Sequence, residues 1–438
     1  MIDDPRTVQM DVVDLEIGMY ISELDRPWID TPFLVEGFYI ESQDEIDRLH
    51  ELCKYVFVDV RRSRKSKHLR TGRILGHHHE LKQRQQLHGA TDSGHNPLTA
   101  TFSSAGKPKD HFLFSTRRLK QYEDTSTVEA EMGPARKAYN TLLKHMIDCQ
   151  QTLANRGALD LSWVRPAIEA LVASITRNPD AAVWYARIKD EKSYGPRHCV
   201  STAIWAAAFG RSLGLPMQEL SRLATGGLLL DIGKFGLPEE LLSKQGKLDV
   251  TEFQHIQTHV QIGLVMVKHS GLSNRTVTEM IETHHERYAG QGYPKGLAGD
   301  DIPLYGRIAA IVDCYDAITS KRVYAPAMSP SDAIKRLYAW RDQDFDGSLV
   351  ESFIQAIGLY PAGTLVELND GRVGVVLSGY RQNKLRPTLL LLLDQNKQAL
   401  ANPSRIDLAT TAEHCNGEPL AIASSLAPGS YGLDQEKL

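Results

Sequence analysis

The sequence predicts a mainly α protein, with a small α+β unit in front and a β-rich extension behind. Three observations predict it. Apolar residues recur at helical spacing from Thr127 to about Ile357; aromatic and β-branched runs cluster in the first sixty residues; and a hairpin signature with a leucine block appears only near the end. The chain has 438 residues, enough for two or three domains, with 42% apolar and 24% charged residues and a formal net charge of −4. That balance argues against a general nucleic-acid binder.

In chain order, Val8–Leu15 and Gly18–Ser22 read as strands, and Tyr55–Val60 is rich in aromatic and β-branched residues. Between them Ser42–Lys54 carries Ile46, Leu49 and Leu52 at helical spacing, with Ser42 as a cap. These segments define a small α+β domain over 5–62. Residues 63–126 are expected to be a polar, basic, flexible linker. Arg61–Arg73 is densely basic, and the stretch to about Asp110 holds too little apolar surface to offset the ordering entropy. His77, His78 and His79 within it read as an incidental polar tract.

A helical domain follows over 127–358. Ala135, Leu142, Leu143, Met146 and Ile147 mark one helix; Ile168, Leu171, Val172 and Ile175 mark the next, stopped at Asn178-Pro179-Asp180. The β-rich extension over 359–410 begins with a hairpin in Gly363–Tyr380, turning at Asn369-Asp370-Gly371, and continues with a strand at Thr388–Leu393. Residues 411–438 form a tail. No apolar run reaches the ~18 residues a spanning helix requires, and the acidic N-terminus lacks the apolar core of a signal peptide. Five scattered cysteines without a CxxC pair suggest reduced thiols. A cytoplasmic protein is expected.

The chemistry-bearing residues lie within 190–330: His198, Leu228–Lys234, His255–His259, His284–Pro294 and Ile311–Tyr324. Imidazoles and carboxylates separated by helix-length intervals can be aimed at one point by several helices, as metal sites in bundles are built. Paired divalent ions suit phosphodiester cleavage, because they acidify a water and neutralise phosphoryl charge. Mixed His/Asp ligation fits Fe, Mn, Zn or Ni better than Ca or Mg, and Fe or Mn is expected first. Asp313 sits in the otherwise apolar segment IAAIVDCYDAI, where an unpartnered carboxylate is costly to bury.

Taken together these residues resemble the HD-GYP family, bacterial phosphodiesterases that hydrolyse cyclic di-GMP, within the HD metal-hydrolase superfamily. The matching positions are Tyr194 and His198; Asp231-Ile232-Gly233-Lys234; His259; His284-His285-Glu286; Gly290-x-Gly292-Tyr293-Pro294; Asp313; and Arg322 with Tyr324. Residues 6–62 are similar to a small domain of unknown role often found ahead of this type. The resemblance implies a helical HD-type metal-hydrolase bundle. Within it His198, Asp231, His259, His284, His285 and Asp313 hold one to three divalent ions, with Asp231 as the bridge. It implies that Lys234 and Arg322 meet the two phosphates and that Lys234 assists the leaving group. Gly292 and Tyr293 line the nucleotide path, Tyr293 packing against a base. Its implied partner is cyclic di-GMP, alongside a homodimer or signalling-protein contact.

Three positions depart from the family pattern. Leu230 stands where the eponymous His belongs, Gly195 replaces a Thr, and Ala289 replaces an Asp. Ala289 is expected to weaken the ordering of its loop. Leu230 removes a ligand, which leaves two expectations open: a phosphodiesterase with a weakened site, and an inactive receptor or interaction module. His255, four residues before His259, is a candidate substitute imidazole on the same helix face.

Overall fold

The computed structural model describes residues 7–25, 38–40, 43–60, 63, 119–155, 157–187, 194–244, 246–272, 274–320, 327–380, 383–415 and 417–433. The His77–His79 triplet, most of the basic run from Arg61 to Arg73, and Arg322 with Tyr324 lie outside the described residues. Two units divide the chain, Met1–Phe112 and Leu113–Leu438.

In the first unit strands β1 (Thr7–Asp11), β2 (Tyr20–Leu24), β3 (Phe38–Tyr39) and β4 (Tyr55–Asp59) form an antiparallel sheet in the order β1-β4-β2-β3. Along β4, Val56 and Val58 are buried while their neighbours are half-buried, the period-two pattern of a one-faced sheet. Helix α1 (Gln43–Leu52) buries Ile46 and Leu49, two of the expected apolar positions. The strand expected over Val8–Leu15 ends early. Asp11 caps a 3-10 turn at Val12–Asp14, its carboxylate accepting from the Val13 amide at 3.2 Å.

The second unit is a helical bundle followed by a sheet. Helix α2 (Val128–Ala154) starts where the Thr127 hydroxyl accepts from the Ala130 amide. Helix α3 (Val164–Arg177) packs against it, and α4 (Pro179–Arg187) begins at once after Asn178, because Pro at a first helical position has no amide to lose. Helix α5 (Tyr194–Ser212) is buried almost all round, from His198 through Ala207, and neighbours α2, α4, α6 (Met217–Leu229) and α11 (Leu304–Ile318). A helix apolar on every side belongs at the centre of a bundle. The short α7 (Glu239–Leu242) leads to α8 (Val250–Gln257), started by a reciprocal capping box between Asp249 and Glu252. Next come α9 (His259–His269), and α10 (Arg275–Thr283), capped by the Asn274 side chain. Helix α12 (Pro330–Ala339) begins at Ser329 and α13 (Gly347–Ile357) at Asp346, both side-chain caps.

After Gly358 come β5 (Leu365–Leu368), β6 (Val373–Tyr380), β7 (Asn383–Leu393), β8 (Ala399–Asp407), the short pair β9 (His414–Cys415) and β10 (Glu418–Pro419), and β11 (Ile422–Ser425). Five of these make an antiparallel sheet in the order β11-β5-β6-β7-β8, and β5 and β6 turn through Asp370-Gly371 as the sequence predicts. Both sheet faces are covered. One carries Val366, Val376, Leu389 and Ile406; the other carries Leu365, Val373, Val375 and Leu392 against Trp184 of α4. The fold is thus mainly α, a helical bundle preceded in the chain by a small sheet region and followed by a five-stranded sheet. No described helix is long and apolar enough to cross a membrane.

Candidate metal centre

Helix α6 ends at Leu229, and the chain passes through Leu230 and Asp231 into a 3-10 turn at Ile232–Gly236. Gly233 lets that turn lie against the start of α9. A Cβ there would stand 1.9 Å from the His259 carbonyl oxygen and 2.6 Å from the Gly263 amide. The close approach sets Asp231 beside His259. Helix α10 ends where His284 and His285 follow Thr283, and α11 presents Asp313 and Asp316 three residues apart on one face.

The donors, buried except for the half-buried His285, fall into two groups that share Asp231. One is Asp231, His259, His284 and His285; the other is His198, Asp231 and Asp313; within each, the ligand atoms all lie within 4.8 Å of one another. In the first group His259 Nδ1 faces the Ile256 carbonyl at 2.7 Å, and His284 Nδ1 faces the Ile281 carbonyl at 2.9 Å. A carbonyl can only accept, so each Nδ1 carries the proton and each Nε2 presents a bare lone pair. Those two Nε2 atoms are 3.4 Å apart and stand 3.4 and 3.5 Å from Asp231 Oδ1. Asp231 Oδ1 and His285 Nε2 are themselves buried without a hydrogen-bond partner. Lone pairs converging on one another and on an orphaned carboxylate oxygen are repulsive unless a cation stands among them. The donor set therefore fits a divalent metal ion.

The charge states agree. Burial, then His284 and Lys234, hold His285 well below the ordinary histidine pKa, and burial also lowers His259. Neutral imidazoles are the ligating form. Burial opposes ionisation of Asp231, yet Lys234 and then His198 outweigh it and keep the carboxyl well below its usual range. Lys234 Nζ lies 2.5 Å from Asp231 Oδ2. Burial works against that ammonium, but Asp231 and then Asp313 carry its pKa above the ordinary lysine value.

The second group is arranged differently. His198 Nε2 lies 3.0 Å from Asp313 Oδ1 and 3.4 Å from Asp231 Oδ2, while its Nδ1 faces Asp316 Oδ2 at 2.7 Å. The Tyr194 ring stacks on the imidazole at 5.5 Å. This group has three donors, and the fully buried Leu230 next to Asp231 offers none.

Tyr293 stacks on His285 at 4.6 Å, with Phe253 edge-on beyond it at 6.0 Å. Gly292 makes this possible, since a Cβ there would fall 2.5 Å from the His285 carbonyl oxygen. Glu286 is buried without joining the donors; its carboxylate accepts from the Lys295 and Leu297 amides at 2.8 and 3.0 Å and fastens the loop. Backbone bonds from Tyr288 and Ala289 to the Asp344 and Gln343 carbonyls fasten it further. The loop is thus held without the side chain that Ala289 lacks.

Among the sequence-predicted site residues, His198, Asp231, His259, His284, His285 and Asp313 converge, with Lys234 and Tyr293 at their edge. Arg322 lies outside the described residues. His255 does not substitute for the missing imidazole, being exposed and in neither donor group. Its helix ends at Gln257 and the next begins at His259, so the expected shared face is broken at Thr258. Sequence reasoning missed Asp316, although a second acid three residues after Asp313 in an apolar helix was a readable signal.

The HD domain family matches residues 182–349, a domain of unknown function (DUF3391) matches 7–162, and a KOW domain associated with HD domains matches 365–414. The chain is 29% identical over 404 residues to a cyclic di-GMP phosphodiesterase of Pseudomonas aeruginosa, covering 92% of this chain and 89% of that one. It is 35% identical over 159 residues to a 3'3'-cGAMP-specific phosphodiesterase of Vibrio cholerae, covering 36% of this chain and 30% of the relative. To a cyclic di-GMP phosphodiesterase response regulator of Xanthomonas campestris it is 37% identical over 153 residues, covering 34% of this chain and 40% of the relative. The chain thus spans most of the first relative and less than half of the other two. With its ordered motifs and convergent donors, the chain thus carries an HD domain, set between a domain of unknown function (DUF3391) and a KOW domain associated with HD domains.

Proposed function

We propose that this chain is a metal-dependent phosphodiesterase whose substrate is a cyclic dinucleotide, cyclic di-GMP first. One observation carries the reading: Asp231 belongs to both donor groups, so its carboxylate can bridge two adjacent ions. His259, His284 and His285 would hold one ion with it, and His198 with Asp313 would hold the second. Divalent ions so held, Fe or Mn before Zn or Ni, lower the pKa of a water and neutralise charge on a phosphoryl group. Relatives that carry cyclic di-GMP phosphodiesterase in their names support the substrate, and one named for 3'3'-cGAMP makes that dinucleotide the competitor to test.

The chain's own residues do the rest. Lys234, its side chain 30% exposed, reaches the edge of the donor cluster and can turn its ammonium from Asp231 to an incoming phosphate oxygen. Tyr293 is half-buried beside His285 and offers a flat wall to a base. Burial raises its hydroxyl pKa, so it stays a neutral phenol. Arg322 is assigned to the second phosphate as a bidentate donor. Residues 5–62 and 359–410 are read as separate domains of a cytoplasmic signalling protein, with a dimer or signalling partner as their use.

A second reading is favoured by Leu230. A buried leucine in place of a ligand makes one ion weak, and a pocket holding a single ion can bind the dinucleotide without opening it. The test is incubation of metal-loaded full-length protein with cyclic di-GMP and, in parallel, 3'3'-cGAMP, with bound metal counted on the same sample. Linear dinucleotide that disappears with Asp231→Ala is the expected result. Nucleotide bound without product supports the receptor reading, and neither binding nor product removes both.

A further inference from the structure

The phosphodiesterase reading leaves a buried polar assembly unused behind His198. Asp316 is wholly buried on α11. Its Oδ2 lies 2.7 Å from His198 Nδ1, and its Oδ1 accepts from the Trp205 indole N–H at 3.1 Å. The Ser320 hydroxyl, one turn on, donates to the Asp316 backbone carbonyl at 2.6 Å. Beside this assembly Arg187, at the end of α4, is also wholly buried, and none of its three guanidinium nitrogens has a hydrogen-bond partner. Burial lowers its pKa, and Tyr315 and Asp316 oppose that. An arginine buried without hydrogen bonds is expensive unless its charge is compensated, and a buried carboxylate has the complementary need.

From this juxtaposition we propose that Asp316 is the positioning residue of His198, held in place by Trp205 and kept compensated by the charge of Arg187. A carboxylate on Nδ1 fixes the tautomer and the ring plane, so that the Nε2 lone pair is aimed between Asp231 and Asp313. It matters more here than in a complete shell. The His198 group has only three donors, and its one imidazole has no companion to compensate for a misdirected ring. The inference rests on the metal-site reading but makes a claim about the metal-free protein too.

Both can be measured on the full-length chain. In metal-free protein with nitrogen-labelled histidine, the wild type is expected to show a hydrogen-bonded proton on His198 Nδ1, assigned by its loss in His198→Gln. Asp316→Asn is expected to weaken or remove that signal. In titrations with Mn2+ the weaker binding event is expected to fall about 10–100-fold in Asp316→Asn, the usual effect of losing such a partner. The stronger event should not move. Arg187→Met should share the loss and Arg187→Lys should restore it; Trp205→Phe should show a smaller loss. Wild-type tautomer and wild-type Mn2+ affinity in Asp316→Asn would overturn the proposal, as would a wild type with no proton on Nδ1. A wild type that binds no metal yet shows the Asp316-dependent proton would sink the phosphodiesterase reading and leave the positioning role standing.

Discussion

The two halves of the donor cluster share one carboxylate and differ in almost everything else. On one side His259, His284 and His285 surround Asp231 Oδ1 with bare nitrogens, and both that oxygen and His285 Nε2 have no hydrogen-bond partner. On the other side His198 already makes close contacts with Asp313, Asp231 and Asp316, and Lys234 covers Asp231 Oδ2. Burial opposes a charge on His198, but Tyr194 and then the three carboxylates raise its pKa well above the ordinary value. An unsatisfied half needs a cation to be stable; a half satisfied by protons must surrender them to take one. We assign the ligand that Leu230 lacks to that second half, because it has three donors where the first has four. The comparison teaches that losing one ligand need not weaken a two-ion site evenly.

The largest effect should come from removing what the halves share. Asp231→Ala is expected to abolish both Mn2+ binding events and to reduce dinucleotide hydrolysis at least ~100-fold, since even a ligand's outer partner can be worth that much. Calorimetric titration with product analysis on the same sample would check it. Retention of the stronger event would break the idea that Asp231 bridges. Next in size, His284→Ala and Asp313→Ala should separate the halves. His284→Ala should remove the stronger event, whereas Asp313→Ala should spare it and remove the weaker one. Equal losses from both variants would make the cluster a single cooperative site.

Leu230→His sharpens the contrast from the opposite direction. The new imidazole is expected to strengthen the weaker Mn2+ event toward the stronger one. Metal-dependent protection against unfolding should then grow; saturating a site at 100 times its dissociation constant contributes about 2.7 kcal/mol. Differential scanning calorimetry with and without Mn2+ would show it. If Leu230→His leaves binding unchanged, the three-donor half is limited by Lys234 and the protonated His198, and not by ligand number.

Much of this was legible in the sequence because the signals are local. The capping box at Asp249 and Glu252, the turn at Asp370-Gly371, and the period-two pattern of β4 each follow from a few neighbouring residues. The six residues that converge were readable because their motifs are short and ordered. His255 misled, because spacing alone does not reveal that a helix stops and restarts at Thr258. Arg187 could not be found from sequence at all. An arginine closing the helix PDAAVWYAR looks like an ordinary last-turn cation, and only packing beneath Gly363 and beside Tyr315 buries it.

The smallest effect tests whether the orphaned atoms of the centre differ in kind from other buried acids. Glu131 is buried on α2, but both its oxygens are used: Arg177 donates at 2.5 and 3.0 Å and the Ser174 hydroxyl at 2.9 Å. The Arg177 bonds first hold its pKa below the ordinary glutamate value, with burial opposing. Since the folded-state pKa is depressed, its stabilisation is fully present above the unfolded-state value near 4.3 and is lost as pH falls through the folded-state value. Glu131→Gln should therefore lower stability by about 1–2 kcal/mol at pH 7, the modest end for charge-assisted bonds because the Arg177 side chain is 43% exposed. The difference from wild type should shrink below about pH 4. Mn2+ affinity should not change, because no atom of this network reaches the donors. Denaturant unfolding across that pH range, with a Mn2+ titration at pH 7, separates a satisfied acid that serves the fold from an unsatisfied one that awaits an ion. A shift in Mn2+ affinity with Glu131→Gln would mean the two networks are coupled through α5.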